Sequence, residues 1–502
     1  MDSSKIKLIF IVTVALFAAL YLGISAATAQ FEAIAWVIGG LTLCTCLQMG
    51  RNIWLLIPFL GSIQLTLMIP GRPTTMMVAQ ALVISFTFLM LLSRKIPFRL
   101  RITELECWML LLTLCVVQVY ARNPVGVNLF GGDQVGGRPY VLFVMTFVVA
   151  FILSGILAQP SQLKNALKLS IFGGLINFAI GVFGWLWAPL GYWLGVAGAR
   201  SGANGAQLQA IDPGRAGRID FVVNIPILLA RWVSSYSNPI KACFSIRWAP
   251  LVLLSFAFAA VSGYRNVVAS VGLTYLVGLA YRGGIFSLLG SVLLGVLALA
   301  SLAVLNLAMP LPPNLQRALA FLPGTWEERY VLDTKDSSNW RFDMWKEVLT
   351  TDRWIDNKLL GDGLGFSRKE LQLQSQLLGV NRGSSVGVSG FDQAREYVLI
   401  SGDYHSGPVS AIRAIGYLGL AVMLCAQFRL VVHAHRLVRS YQNTEWFPLV
   451  LFFCIPMIWY PVFFVFIFGG FQADGVAILI NAGMLRLLQN NLPRDVGVQN
   501  LC

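Results

Sequence analysis

Apolar runs separated by short polar connectors fill most of the chain. The runs cover residues 8–24, 33–49, 53–69, 75–93, 104–120, 140–158, 169–188, 221–236, 249–263, 266–281, 285–308, 407–430, 447–468 and 474–489. Most of them are roughly 17–22 residues long, and all are continuously apolar, which is typical of membrane-spanning helices and not of alternating barrel strands. Because backbone polar groups in lipid must be satisfied internally, the pattern predicts an all-α, polytopic helical membrane protein with about 14 transmembrane helices.

The composition also indicates a membrane protein. Hydrophobic residues make up 57% of the sequence and charged residues only 12%, about half the share of roughly 25% that soluble domains carry. The net charge of +14 would suggest a nucleic-acid partner in a soluble protein, but much of it lies in short connectors, as the positive-inside rule expects. We therefore expect the lipid bilayer, and no nucleic acid, as a partner. A second interpretation is that outer arginines bind an anionic lipid-linked substrate.

The basic connectors predict the topology. The connector 94–101 marks the cytoplasmic side, because it carries Arg94, Lys95, Arg99 and Arg101. Counting the runs from this connector places both termini in the cytoplasm. The first run, 8–24, is followed by residues 27–29 (ATA), which mimic a signal-peptidase site, but the run is longer than the roughly 7–15 apolar residues of a signal sequence. We expect it to remain as an uncleaved span.

One long polar segment divides the chain. Residues 1–309 are predicted to hold transmembrane helices 1–11, residues 310–404 a large outer loop with an amphipathic helix, and residues 405–502 helices 12–14 and a cytoplasmic tail. A loop of this length, about 95 residues, is usually functional when it has structure of its own. The eight cysteines lie outside this loop, so no disulfide framework is indicated.

Two local patterns stand out in the outer loop. After the N-cap candidates at 337–339, an amphipathic helix is predicted by the helical spacing of Trp340, Met344, Trp345, Val348 and Leu349. Arg341, one turn before Trp345, is either a solvated charge or an anion ligand at the mouth of the bundle. The second pattern, residues 359–366 (LLGDGLGF), lacks the Lys and Ser/Thr of a P-loop and favours a tight turn over a phosphate-binding nest.

His405 is the candidate catalytic residue. It is one of only three histidines, and Pro408 after it suits the first turn of a helix. The positive end of the helix dipole disfavours imidazolium, which keeps a neutral base available. Asp403 either orients the imidazole or caps the helix, and Arg413 is either a phosphate contact or part of a buried structural pair. Arg265, in a very short outer turn, either snorkels or serves a ligand.

Three ordered motifs resemble the O-antigen ligase and polymerase superfamily of bacterial inner-membrane glycosyltransferases. His405-Ser406, nine residues and Gly416-Tyr-Leu-Gly419 are similar to the family's motif of His, a small polar residue, nine of any type and Gly-x-x-Gly. Arg341-Phe-Asp-Met-Trp345 and residues 359–365 resemble the Arg, Trp and Leu-x-Gly-x-Gly-x-Gly block that precedes this His. Gly263-Tyr-Arg265 resembles the family's Ser-Arg-Gly segment. The similarity covers roughly residues 220–430.

The resemblance implies an enzyme that needs no metal and no cofactor. It would take a glycan from undecaprenyl diphosphate at the periplasmic face of the bacterial inner membrane and pass it to the hydroxyl of a glycan or lipid acceptor. His405 would be the general base. The diphosphate would be bound by Arg265, Arg341 and Arg413. The supporting residues would be Asp403, Gly416 and Gly419.

The sequence also departs from the family pattern. Ala269 stands where the family often has Leu, Lys358 stands where Pro usually precedes the glycine block, and the predicted spans exceed the usual twelve. Ligase and polymerase therefore both stay open. The chemistry itself suits the residues, because arginine forks stabilise the charge that develops on a diphosphate and a neutral histidine accepts a proton near neutral pH. A transporter or flippase for the same lipid, and a non-catalytic scaffold, are the rival functions.

Overall fold

The computed structural model describes residues 40, 45–67, 73–125, 136–187, 219–320, 322–365, 399–400, 402 and 404–493. Within these ranges the regular structure is helical, and the only β features are two isolated bridges, Thr66 with Thr74 and Phe98 with Ile156. The prediction of an all-α chain is confirmed for the described residues. The first apolar run, 8–24, and most of the second, 33–49, lie outside them.

Fifteen α-helices occur in the described part of the chain, besides short 3-10 turns. The first seven are α1 Leu56–Leu60, α2 Thr75–Leu92, α3 Glu104–Arg122, α4 Arg138–Gly155, α5 Pro160–Leu186, α6 Asn224–Tyr236 and α7 Pro239–Cys243. The other eight are α8 Ala249–Val261, α9 Arg265–Arg282, α10 Gly284–Ala308, α11 Pro313–Leu319, α12 Glu328–Thr350, α13 Gly407–Ser440, α14 Phe447–Phe466 and α15 Phe471–Asn491.

Eight of these helices are long and apolar enough to cross a membrane. They are α2, α3, α4, α5, α13, α14, α15 and the part Phe286–Ala308 of α10. The runs 221–236, 249–263 and 266–281 are also helical, as α6, α8 and α9, of which α6 and α8 have only 13 residues each. The chain is thus a helical protein with several apolar, membrane-type helices, and the total of about fourteen spans stays a prediction.

The predicted span 53–69 is wrong. A 3-10 helix, Gly50–Leu55, and the five-residue helix α1 replace it, and the chain then enters the β-bridge at Thr66. The hydroxyl of Ser62 donates to the carbonyl of Pro58 at 2.8 Å in the turn that follows. An apolar run interrupted by Pro58, Gly61 and Ser62 can thus be buried without being a continuous helix.

Contacts between residues divide the chain into two compact units. One comprises Met1–Trp54 with Ser85–Ile96, and the other Leu55–Ile84 with Pro97–Cys502. All features of the candidate site belong to the second unit. The predicted division at residues 309 and 404 follows the polar loop instead and is a different partition.

A buried ion pair joins α3 to α15. Glu106 reaches back to the amide of Thr103 at 2.9 Å and completes a capping box at the start of α3. Its other carboxylate oxygen accepts from Nε of Arg486 at 2.7 Å, and both side chains are buried. Glu106 therefore both caps the start of α3 and holds α3 against α15.

A half-buried cation, Arg231, satisfies a break in α14. Pro456 lies inside this helix and has no N–H, so the carbonyl of Phe452, four residues earlier, lacks its helical donor. Nη2 of Arg231 on α6 donates to that carbonyl at 3.1 Å. The guanidinium carbon also lies 4.2 Å from the centroid of the Phe452 ring. Arg231 therefore bonds to a carbonyl that is available only because Pro456, 225 positions later in the sequence than Arg231, has no N–H.

Candidate functional site

His405 directly precedes α13, as predicted. Helix α13 starts at Gly407, Pro408 is in its first turn, and Ser406 is the N-cap residue, whose carbonyl accepts from the amide of Ser410 at 3.0 Å. His405 itself has φ of 51°, in the left-handed region that non-glycine residues rarely adopt. This sharp change of direction sets the imidazole at the entrance of the helix. Strain of this kind clusters at functional sites. Asp403 lies outside the described residues.

Two aromatic rings flank the imidazole. Phe468, in the connector between α14 and α15, is stacked on it with ring centroids 5.4 Å apart and an interplanar angle of 25°. Trp340 of α12 lies on another side, with centroids 6.3 Å apart. His405 is half-buried between these rings, so its environment combines an apolar wall with partial access to solvent.

Helix α12 docks on the start of α13 through one face. The indole N–H of Trp345 donates to the carbonyl of Tyr404 at 2.8 Å. Met344 and Val348 are fully buried in one apolar cluster with Tyr404. The amphipathic helix is confirmed, but the N-cap expected at 337–339 is wrong, because the helix already begins at Glu328 and these residues lie inside it.

Arg341 belongs to the docking face of α12. It is four residues before Trp345, which donates to the carbonyl of the residue preceding His405. Residues four apart are neighbours on a helix surface. Arg341 is thus next to Trp345 on the surface of α12, and it is half-buried.

Helix α13 is interrupted at Gly416, and the glycine-rich loop 359–365 fills the break. Gly416 has φ of 74°, so the helical bonding pattern is lost there. The amides of Tyr417 and Leu418 donate instead to the carbonyls of Lys358 and Leu359, at 2.8 and 3.2 Å. A Cβ on Gly416 would overlap the carbonyl of Leu359. The two glycine motifs therefore meet through backbone atoms. Gly419 lies three residues beyond the break.

Backbone contact from the other side of the loop closes the arrangement. A Cβ on Gly361 would lie 2.6 Å from Cα of Ile415. The amides of Asp362 and Gly363 donate to the carbonyl of Arg413, at 2.7 and 3.4 Å. Because these two amides already donate to a carbonyl of α13, the contacts favour a tight turn over a phosphate-binding nest.

Arg413 is buried beside this loop. Its Nη1 donates to the carbonyl of Gly363 at 3.4 Å, and a Cβ on Gly402 would overlap its side chain. These contacts favour the structural alternative for Arg413 over a phosphate contact. The neighbouring carboxyl of Asp362 accepts two backbone amides of its own loop. Burial raises the pKa of Asp362, while those amides and the charge of Arg413 favour its ionised form.

Residues of α3 and α4 hold the loop from outside. Nη2 of Arg122 donates to the carbonyls of Leu360 and Gly361, at 3.0 and 2.7 Å. The hydroxyl of Tyr140 accepts from the amide of Leu364 at 2.7 Å. Four helices therefore position the candidate site: α3, α4, α12 and α13.

Arg265 is the first residue of α9, and its described hydrogen bond is made to α11. Its Nε donates to the carbonyl of Arg317 in α11 at 3.2 Å. The preceding residue, Tyr264, donates its hydroxyl to Asp220. The described contacts thus place Arg413 beside the loop 359–365 and connect Arg265 to α11, and Arg341 neighbours Trp345 on α12. That all three arginines share one cavity with His405 stays a prediction.

Several residues of the site were not predicted. Phe468 is the last residue of the apolar run 447–468, and nothing in its sequence context distinguishes it. Arg122 lies outside the motifs noted in the sequence, and Trp340 and Trp345 were predicted only as members of the amphipathic helix. Their roles depend on which helices lie side by side, and helical spacing does not contain that information.

Metal ligands and similar proteins give no further assignment. Among the residues that the structure describes, no three His, Cys, Asp or Glu side chains are grouped as a metal site would need, and the metal-independent reaction stays a prediction. No family model matches the chain, and the search of curated proteins found no match.

Proposed function

We propose that the protein is a glycosyltransferase that moves a glycan from undecaprenyl diphosphate to an acceptor hydroxyl at the periplasmic face of a bacterial inner membrane. The acceptor is either a lipid or a second lipid-linked glycan, which corresponds to an O-antigen ligase or a polysaccharide polymerase. The motifs around Arg265, Arg341 and His405 support this proposal by their order and resemblance to that superfamily.

One observation carries the proposal. Helix α12 contacts the entrance of α13 twice: Trp340 lies against the imidazole of His405, and Trp345 donates to the carbonyl of Tyr404. Arg341 is a neighbour of Trp345 on the surface of α12. A base and a fixed cation, 64 positions apart in sequence, are thus held on two elements that pack together. An acceptor hydroxyl and a diphosphate leaving group need a base and a cation close together.

The proposed reaction is a single displacement. The acceptor oxygen attacks the anomeric carbon of the donor, and the bond from that carbon to the diphosphate oxygen breaks. His405 takes the hydroxyl proton, and the electron pair of the broken bond leaves with the diphosphate. Arg341 stabilises the negative charge that develops there, because its guanidinium presents a planar fork of N–H donors to phosphate oxygens.

The test is release of undecaprenyl diphosphate by the purified protein. Full-length protein in detergent is given an undecaprenyl-diphosphate-linked glycan and an acceptor, and both products are measured. A general base contributes about 100-fold to 10,000-fold, so His405→Ala should lower kcat by at least roughly 100-fold. Arg341→Ala should lower kcat/KM by about tenfold or more, the effect of one hydrogen bond between charged groups.

A matched control lies on the same helix. Arg329 is twelve residues before Arg341 on α12 and bonds to Glu327, about 18 Å away along the axis. Arg329→Ala makes the same change of charge and should keep full turnover. Full turnover in His405→Ala, or equal losses in the two arginine variants, would show that the assigned roles are wrong.

A flippase for the same lipid is the second candidate. Transporters often have interrupted helices near a substrate site, and α13 is broken at Gly416 beside the buried Arg413. Vesicles with fluorescent lipid-linked oligosaccharide distinguish the two functions. Translocation without release of diphosphate would favour the flippase, and release of diphosphate together with glycan transfer would favour the transferase.

A further inference from the structure

A polar cavity lies at the far ends of the helices that carry Arg265 and His405. It has a volume of about 280 Å³ and lies where α9 ends, α10 begins and α13 ends. Its lining includes Tyr281, Arg282, Gly284, Leu288, Arg439 and Gln442. Two arginines and no carboxylate line it. Helix α9 has 18 residues from Arg265 to Arg282, so the cavity is about 25 Å from Arg265 along this helix.

Arg282 is a fixed cation in this cavity. Its Nε donates to the carbonyl of Ser234 at 2.8 Å, and Nη2 donates to that of Ser235. The guanidinium carbon lies 4.8 Å from the ring centroid of Phe447. A guanidinium has five N–H donors, and these two carbonyls do not use all of them. The side chain is thus oriented by backbone and ring contacts, with donors to spare for a ligand.

Arg439 lines the same cavity from the end of α13. Its Nη1 donates to the side chain of Gln442 at 3.2 Å, and Gln442 donates to the carbonyl of Tyr281 at 2.9 Å. Within the described part of the chain, neither Arg439 nor Arg282 is within ion-pairing distance of a carboxylate. Glu445, the acidic residue nearest to Arg439 in sequence, pairs with Lys164 at 3.5 Å.

We propose that this cavity binds a phosphate group. Two guanidiniums converge on it without a protein carboxylate to neutralise them, and arginine forks match phosphate oxygens in geometry and charge. The volume is near the lower end, roughly 300 Å³, of small-molecule pockets, so it suits a headgroup or a small anion. Basic pockets between helices at a membrane surface bind anionic headgroups in this way.

The site is independent of the proposed transferase activity. Its residues are at the opposite ends of α9 and α13 from the candidate catalytic residues. The phosphate belongs either to an anionic lipid of the adjoining leaflet or to a free anion. A phosphodiester headgroup and inorganic phosphate share the chemistry that the arginines recognise, and the experiment separates the two sources.

The experiment measures ligand binding by purified full-length protein in neutral detergent. Native mass spectrometry and thermal unfolding follow titrations with phosphatidylglycerol, with zwitterionic phosphatidylcholine, and with inorganic phosphate at constant ionic strength. The test variant is Arg439→Ala, and the matched control is Arg436→Ala, an exposed arginine of α13 outside the cavity. A second variant, Leu288→Trp, fills the cavity without changing any charge.

The proposal expects site-specific loss of binding. The wild type and Arg436→Ala should bind one anionic ligand equally. Arg439→Ala and Leu288→Trp should weaken that binding by about tenfold or more, the factor for one lost hydrogen bond to a charged group. Preference for phosphatidylglycerol identifies a lipid, and equal protection by inorganic phosphate identifies a free anion. Equal weakening by both arginine variants, or no binding by the wild type, overturns the proposal.

Discussion

The bond between Arg231 and the carbonyl of Phe452 exists because Pro456 lacks an N–H, and a double-mutant cycle tests this dependence. Arg231→Met removes the donors but keeps most of the aliphatic stem. In the Pro456 background it leaves the carbonyl of Phe452, a fully buried residue, without a donor. Such a carbonyl costs about 1–3 kcal/mol. In the Pro456→Ala background the new amide supplies the missing helical bond, so this cost disappears.

The coupling energy isolates that single bond. Arg231→Met also loses the cation–π contact with Phe452 and removes a charge from a half-buried site, but both effects occur in either background and cancel in the cycle. We therefore expect the two mutations to couple by about 1–3 kcal/mol in the free energy of unfolding, with Pro456→Ala rescuing Arg231→Met. This conclusion does not depend on whether Arg231→Met alone raises or lowers the free energy of unfolding.

The assay is equilibrium unfolding in mixed detergent micelles, followed by tryptophan fluorescence and far-UV circular dichroism. Pro461 provides the control, because it lies in the same helix but frees the carbonyl of Met457. Arg231→Met and Pro461→Ala should be additive to within about 0.5 kcal/mol. Coupling to Pro456 no larger than coupling to Pro461 would refute the explanation.

Three further substitutions test contacts around the site and the bundle. Gly416→Ala should destabilise the protein by about 1–3 kcal/mol through its positive φ and expose the outer loop to limited proteolysis, whereas Gly272→Ala, with open space around it, should not. Glu106→Leu should cost about 3–5 kcal/mol by leaving Arg486 buried and unpaired, and adding Arg486→Leu should recover most of the folded fraction seen by size-exclusion chromatography. Trp345→Phe should cost roughly 1 kcal/mol in thermal unfolding and, on the proposed function, lower glycan transfer, because the support of the carbonyl before the histidine is lost.

The sequence predicted those features that lipid and helix geometry impose on residue types. Long apolar runs gave helices at α2 to α5 and α13 to α15, since lipid leaves the backbone few alternatives. The run 53–69 was mispredicted because its hydrophobicity is that of a buried segment, and hydrophobicity alone does not separate burial in protein from burial in lipid.

The candidate site was only partly predictable for a different reason. His405 could be noticed because the chain has only three histidines, and Arg341 because it belongs to an ordered set of motifs. Pro408 correctly predicted the start of α13. The docking of residues 359–365 into the break at Gly416 is made by backbone amides and carbonyls, which are the same in every residue type. Two glycine motifs were visible in the sequence, but their contact with each other was not.

The loop that fills the break at Gly416 also imposes an order on the biogenesis of the protein. Residues 358–365 leave the ribosome before α13 is made. The carbonyls of Lys358 and Leu359 therefore have to wait for their donors, the amides of Tyr417 and Leu418 in α13. The interrupted helix, in turn, has unsatisfied amides until the loop docks. Insertion of α13 and closure of the loop are therefore coupled, and the surroundings of His405 are complete only after Phe468, which follows α14, has also packed against the imidazole.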